Sequence, residues 1–270
     1  MFVVVRHLAA AAAALTLGAG VAAAASCGNS ASGFDTWKQD FARVAAAQGV
    51  GQRGLQALAG TRYAQKTINA DRNQKSFKYS LQKFMQVRGA DTIVAQGRQR
   101  LQQNPGFWQS LERGYGVPAG VLIAIHGMET GFGRFMGDSN VLSAIVTLAY
   151  DCRRPAFFTP HALAALQLVD RGALSAGTVG ARHGEVGHTQ FLPGNVLRYG
   201  VDADGNGRVD LTNVTDAMAS TANFLRRKGW QPGVGYQQGQ PNFRVIQEWN
   251  AASVYQQAIA IMAARIQPTS

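Results

Sequence analysis

A glutamate at the end of a long apolar stretch is the residue of this chain best placed for acid–base chemistry. Residues 119–128 read AGVLIAIHGM, and Glu129 follows as the first acid and opens a Gly-rich run, TGFGRFMG. A carboxyl at such a junction is desolvated on one side and open on the other. Burial disfavours its charged form and lifts its pKa above the reference of about 4.3, the condition for donating a proton near neutral pH. A helix-terminal glutamate that simply reaches solvent would leave the same mark in the sequence.

A second polar cluster lies at 183–195, HGEVGHTQFLPGN. Gly184 and Gly187 would let the backbone approach a ligand closely, and the Gln190 amide offers a donor and an acceptor to an amide or hydroxyl. Glu185 reads as a surface loop acid, or, beside Glu129, as a group that raises its pKa by like-charge repulsion or positions water. His183 and His188 flank this acid with neither a Cys nor an H-x-x-x-H pattern, so no zinc site is expected. His126, three residues before Glu129, reads as a hydrogen-bonded core histidine.

The third feature is DADGNGRVD, residues 202–210. Asp202, Asp204, Asn206, Arg208 and Asp210 take positions 1, 3, 5, 7 and 9 of an EF-hand-like loop, with Gly207 at position 6. Position 12 is Asn213 instead of the bidentate glutamate of a tight site. The expectation is either a weak structural Ca²⁺ loop or an Asp/Asn/Gly turn held by its own hydrogen bonds. No cofactor is expected to be required.

These residues need helices to position them. Phe34, Trp37, Phe41 and Val44 recur at spacings of three and four behind Asp35, which predicts a helix over 35–48. Phe77, Leu81, Phe84, Met85 and Arg88, then Phe107, Trp108, Leu111 and Tyr115, show a similar period. Residues 119–128 are apolar nearly all round and follow Pro118, a favoured first-turn residue, which predicts a buried central helix. Further helices are expected near 139–149, 160–170, 190–199, 214–228 and 250–265. No period of two persists, so the fold class is mostly α. Residues 231–241, QPGVGYQQGQP, read as a linker.

Composition sets the class of molecule. With 46% hydrophobic and 15% charged residues in 270, the chain can bury a sizeable core, which excludes a disordered tail. Residues 1–25 carry Arg6 and His7, an Ala/Leu run and small residues at Ala23 and Ala25, and so read as a secretory signal peptide. The net charge of +11 falls to +10 without that segment. A basic surface suits a polyanion, but with no RNP, zinc-finger or Arg-rich segment nucleic acid is not the expected partner. Cys27 and Cys152 are the two cysteines, and an even count in an oxidising compartment invites a disulfide, with two free thiols as the alternative. Acylation of Cys27 as a lipid anchor is the less favoured reading.

Five motifs in fixed order carry a family resemblance: ET-x-x-G-x-x-x-G at Glu129–Gly137, G-x-x-Q-F-x-P at Gly187–Pro193, the Asp202–Leu211 loop, A-N-F at Ala222–Phe224 and K-G-W at Lys228–Trp230. Over residues 34–230 and again at 242–250 the chain resembles the lytic murein transglycosylase B family of bacterial cell-wall enzymes. The resemblance implies a lysozyme-like α-helical catalytic fold with an N-terminal helical segment and an EF-hand-like loop. It divides the chain into a signal peptide at 1–25, an N-terminal helical region at 26–116, a catalytic core at 117–230, and a linker with a C-terminal helix packing on the core at 231–270.

It implies a function as well: cleavage of the β-1,4 bond between N-acetylmuramic acid and N-acetylglucosamine in peptidoglycan, leaving 1,6-anhydromuramic ends. Glu129 would be the single catalytic acid, with Gln190, Glu185, Phe224, Tyr236 and Trp249 as substrate-binding candidates. The protein is expected to be a periplasmic monomer acting on glycan strands, without stable membrane insertion. A hydrolytic muramidase of the same fold, or a peptidoglycan-binding protein without turnover, are the alternatives. Three departures from the family stand out: Ala181 where it often has Ser, Phe224 where it has Tyr, and Glu185 where many members have Ala. Only eleven residues separate Trp230 from Asn242, where long members carry an insertion, so a shorter and more open groove is expected. Arg153 and Arg154 lie in the region that covers the cleft in the family and are candidates for anionic stem peptides.

Overall fold

The apolar run at 119–128 forms helix α7 (Ala119–Thr130), in which every residue except Glu129 is buried. A helix without a polar face must be enclosed by others. Around it pack α5 (Ala90–Gln103), α6 (Pro105–Tyr115), α11 (Val214–Arg227) and α13 (Ser253–Ile266), with α4 (Leu81–Val87) against α5 and α13. The structure is a computed structural model that describes residues 26–73 and 79–268. The expected signal peptide at 1–25 and Phe77 lie outside the described residues.

A second apolar cluster forms where α8 (Val141–Tyr150) and α9 (Pro155–Asp170) meet α1 (Phe34–Ala47) and α2 (Gln52–Ala59). The period read at Phe34, Trp37 and Phe41 is its inner face, with Trp37 stacked on Phe41 at 4.6 Å and set against Tyr150 at 5.5 Å. Cys27 and Cys152 form the disulfide, and Gly28 N–H donates to the Tyr150 carbonyl at 3.0 Å beside it. The sequence segments 26–116 and 117–230 contribute to both clusters, and 231–270 contributes to the one around α7. Helix α3 (Gln65–Arg72) packs on α8 and carries the buried Asp71.

Several boundaries differ from the sequence expectation for local reasons. The helix expected at 190–199 is α10 (Pro193–Tyr199), because Gln190 adopts φ 55° and ends in a turn what the pattern would extend. The helix expected from residue 160 begins at Pro155 and carries Pro160 inside. Helices α2, α3, α5 and α12 (Phe243–Trp249) are not among the elements expected from the sequence. Residues 231–241 are not a free linker. The Asn242 side chain donates to the carbonyls of Gln231 and Val234, both at 2.8 Å, and accepts from Gln231 N–H, so side-chain hydrogen bonds replace the backbone ladder that Gly and Pro prevent. The two-residue strands β1 (Ser139–Asn140) and β2 (Val179–Gly180) pair antiparallel and hold the loop that follows β2 across the end of α7. No helix among the described residues is long and apolar enough to cross a membrane.

Candidate active site

Glu129 sits in the last turn of α7, which Gly131 ends in the left-handed conformation at φ 56°. Its Oε1 accepts two hydrogen bonds, from the Tyr255 hydroxyl at 2.5 Å and from Trp249 Nε1 at 3.0 Å. Burial pushes its pKa above the ordinary carboxyl value, and the Glu185 carboxylate pushes the same way, while the Tyr255 and Trp249 donors and Arg88 pull against them. The half-desolvated carboxyl of raised pKa expected from the sequence is therefore found at this junction. Tyr255 was missed, since on a helix its spacing reads only as core; its own pKa is driven well up, by burial first and by Glu129 next. Removing this donor removes a bond that favours ionised Glu129. Tyr255→Phe is accordingly expected to raise the Glu129 pKa further and to move the alkaline limb of a pH–rate profile to higher pH; an unmoved limb would contradict the assignment.

The 183–195 loop is clamped onto α7 by the residues either side of Glu129. Thr130 Oγ1 donates to the His188 carbonyl at 2.7 Å and accepts from Gly133 N–H at 2.9 Å. His188 Nε2 lies 3.1 Å from the Thr212 carbonyl, which can only accept, so that nitrogen carries the proton. His188 Nδ1 then accepts from His126 Nε2–H at 2.9 Å. Burial drives the His126 pKa down to about 3, with His188 and Arg100 adding to the effect, so the pair is a neutral strut, as expected of a core histidine.

The loop glycines serve the protein rather than a ligand. A Cβ on Gly187, at φ 75°, would stand 2.2 Å from the Leu211 carbonyl oxygen, and one on Gly184 would stand 2.9 Å from the Ile145 Cβ. The close approach expected toward a ligand is thus an approach to the 202–211 loop and to α8. Gly187→Ala combines a backbone clash with a left-handed φ and is expected to destabilise the fold by about 3 kcal/mol, read as a fall in the urea midpoint. Gln190 turns its amide nitrogen inward to the Gly187 carbonyl at 2.8 Å, which leaves its oxygen as the group it can offer the cleft.

Glu129, Glu185, Gln190, Asn195, Phe224, Trp249 and Asn250 line one cavity of about 200 Å³. Glu129 also lines a second, of about 500 Å³, together with Arg88, Arg134 and Phe135. The carboxyl therefore stands where two recesses meet, one acidic and one basic. Phe224 is buried and contacts Phe191, Tyr199 and Trp249 edge-on, so it forms the floor of the smaller recess. Tyr236 is not with them. It is buried against Trp230 in a separate cavity near the start of α7, because the 231–241 segment folds back on the core. Asn195 and Asn250 carried no signal that sequence alone could rank. Arg153 and Arg154 are ion-paired with Asp71.

The transglycosylase SLT domain family matches residues 33–240. The chain belongs to this family. Membrane-bound lytic murein transglycosylase B of Escherichia coli is 32% identical over 136 residues, which is 47% of this chain and 38% of that relative's length. SltB3 from Pseudomonas aeruginosa, solved in complex with NAG-anhNAM-pentapeptide, superposes with a TM-score of 0.79 at 28% identity, over 87% of this chain and 80% of that one. The Escherichia coli lytic transglycosylase Slt35 in complex with calcium gives a TM-score of 0.76 at 20% identity, over 90% and 96%. At that identity the likeness establishes the fold alone. The mostly α, lysozyme-like architecture expected from the motifs is therefore found.

Hydrogen bonds within the Asp202 loop and to α11 fix its local form. Asp202 accepts from the N–H groups of Gly205, Asn206 and Gly207, and Asp204 accepts from Asn206 and from the Asn213 side chain. Asp216, buried on α11, accepts from Ala203, Asp204 and Asp210 N–H. The loop thus holds itself as an Asx-rich turn. Oxygens of Asp202, Asp204 and Asp216 still converge to within 4.8 Å, while Asn213 points its amide nitrogen at Asp204 and caps α11 with its oxygen. Hard oxygen donors suit Ca²⁺, but position 12 contributes no carboxylate.

Proposed function

We propose that this chain is an exported lytic transglycosylase that cleaves the bond between N-acetylmuramic acid and N-acetylglucosamine in peptidoglycan strands and forms 1,6-anhydromuramic ends. The observation that carries the reading is a half-buried carboxyl of raised pKa, held by two neutral donors where two recesses meet, as a polymer threaded past a cleavage point requires. Glu129 gives its proton to the glycosidic oxygen, and the C1–O4 bond breaks. The muramic C6 hydroxyl then attacks C1, and its proton returns to Glu129. No water is consumed and the acid is restored.

Gln190 and the rings of Trp249 and Phe224 shape the recess that takes a sugar, and the Arg88–Arg134 side suits the acidic lactyl and peptide groups. A disulfide of this kind fits an oxidising compartment such as the periplasm, where the chain would act as a monomer on glycan strands. Mass spectrometry of the muropeptides released from purified sacculi tests the reading. Products lighter by one water than hydrolysis products support it. Reducing ends would make the protein a muramidase, and no products at all would make it a binding protein.

No cofactor is required by this chemistry. The Asp202 loop, with Asp204 and Asp216 as the acids converging on Asp202, would bind Ca²⁺ only weakly. Calcium is expected to raise the thermal midpoint slightly, and a chelator is expected to leave turnover intact while the fold persists. Complete inactivation by chelation at a temperature where the protein stays folded would contradict this.

A further inference from the structure

One acid of the cleft has no part in the steps above. Glu185 lines the same small cavity as Glu129, and no Lys, Arg or His is among the described residues lining that cavity. It is also held in a fixed direction. Its Oε2 accepts from the His183 backbone N–H at 3.1 Å, and the His183 ring places Nδ1 3.7 Å from Oε1. On the far side of the same ring, Nε2 stands 3.9 Å from Oδ1 of Asp71. Asp71 is itself buried on α3 and ion-paired with Arg153 and Arg154. The short loop closes on itself through Ala181 N–H to the Glu185 carbonyl at 2.9 Å. A surface loop acid needs none of these supports; a group that must point at a site does.

We infer that Glu185 is a second working carboxylate of this cleft, whose charge across the cavity holds the proton on Glu129 until the glycosidic oxygen takes it. Two carboxylates in one small recess do not both ionise freely, and such a pair titrates as a unit. The charged groups facing them decide where the proton rests. Glu185 has two backbone N–H donors, its own and that of His183, with the His183–Asp71–Arg153–Arg154 chain behind. Glu129 has Tyr255, Trp249 and Arg88. Burial raises both pKa values, and it keeps the His183 ring neutral by lowering its pKa against the pull of Asp71. Donors favour charge on both acids, and it is the Glu185 charge that raises the Glu129 pKa, so the proton is assigned to Glu129. Glu185 is thus a positioning residue that acts through the catalytic acid.

The use made of the proton rests on the transglycosylase reading, but the coupling does not. Carboxyl ¹³C NMR titration of the full purified protein reads the coupling directly. Wild type should show Glu129 and Glu185 titrating in two linked steps. In Glu185→Gln, Glu129 should titrate in a single step about one pH unit lower, with an unchanged thermal midpoint. The alkaline limb of kcat/KM on sacculi should move to lower pH by the same amount. His183→Asn, which keeps the acid and frees its direction, should move it the same way by less. A Glu129 titration identical in wild type and Glu185→Gln would overturn the inference. So would a loss of rate equal at every pH, which is the mark of a structural role. Linked titration in a protein without turnover would preserve the pair and remove the glycan reading; turnover with unlinked titration would do the reverse.

Discussion

Replacing Glu129 by glutamine is expected to lower turnover on sacculi by at least about 10³-fold, since one group supplies both proton transfers and each is worth roughly 10²–10⁴-fold. The substituted amide would keep an oxygen for Tyr255 Oη and Trp249 Nε1, so the helix junction and the glycan recess should survive. Stability distinguishes lost chemistry from lost structure. Because burial raises the Glu129 pKa in the folded protein, its protonation stabilises the fold fully below the unfolded carboxyl pKa, and that contribution is lost as pH rises through the folded value. Glu129→Gln carries no such charge, so at pH 8 its thermal midpoint should equal or exceed that of wild type. Wild-type activity in this variant would sink the mechanism, and a lower midpoint at pH 8 would sink the account of the burial.

Removing the disulfide should have the largest effect on stability. Cys27 and Cys152 are 125 residues apart, and the chain-entropy model gives about 5 kcal/mol for closing a loop of that length. That is a large share of the roughly 5–15 kcal/mol that holds a typical fold. The bond fastens residues 26–33 to the end of α8, beside the ring cluster of Phe34, Trp37 and Tyr150, where Tyr150 Oη also donates to the Ser30 carbonyl at 2.9 Å. The double variant Cys27→Ala, Cys152→Ala should therefore show a marked fall in the denaturant midpoint, and wild type should show the same fall under a thiol reductant. The proposed acid, Glu129, and its donors Tyr255 and Trp249 belong with the other apolar cluster, so turnover measured well below the new midpoint should stay near wild type. Equal midpoints with and without the bond would contradict the prediction.

Features that are local in cause can be read from the residues alone. Helix α7 was legible because ten consecutive residues without a charge, preceded by Pro118, have no face to give to water. Glu129 was legible for the same reason: the first acid after such a run must stand at the boundary of the core. The inner face of α1 followed from its period, and the disulfide from a count of two cysteines. The remaining features arise from how distant segments pack. Nothing local joins Tyr255 or Trp249 to Glu129, 126 and 120 residues away, because a hydroxyl or indole on a helix carries no record of the carboxyl it will meet. Tyr236 went into the core because Asn242 closes its segment into a compact loop and Gln237 ties that loop to the Ala260 carbonyl of α13, hydrogen bonds that a Gly- and Gln-rich composition does not announce. Glu185 was readable either as a loop acid or as a neighbour of the site, and the choice lay with Asp71 and His183, brought together from distant segments by the packing of α3 on α8. Short-range periodicity fixes which residues are buried; which polar groups meet inside is fixed by how helices cross, and that is a property of the whole chain.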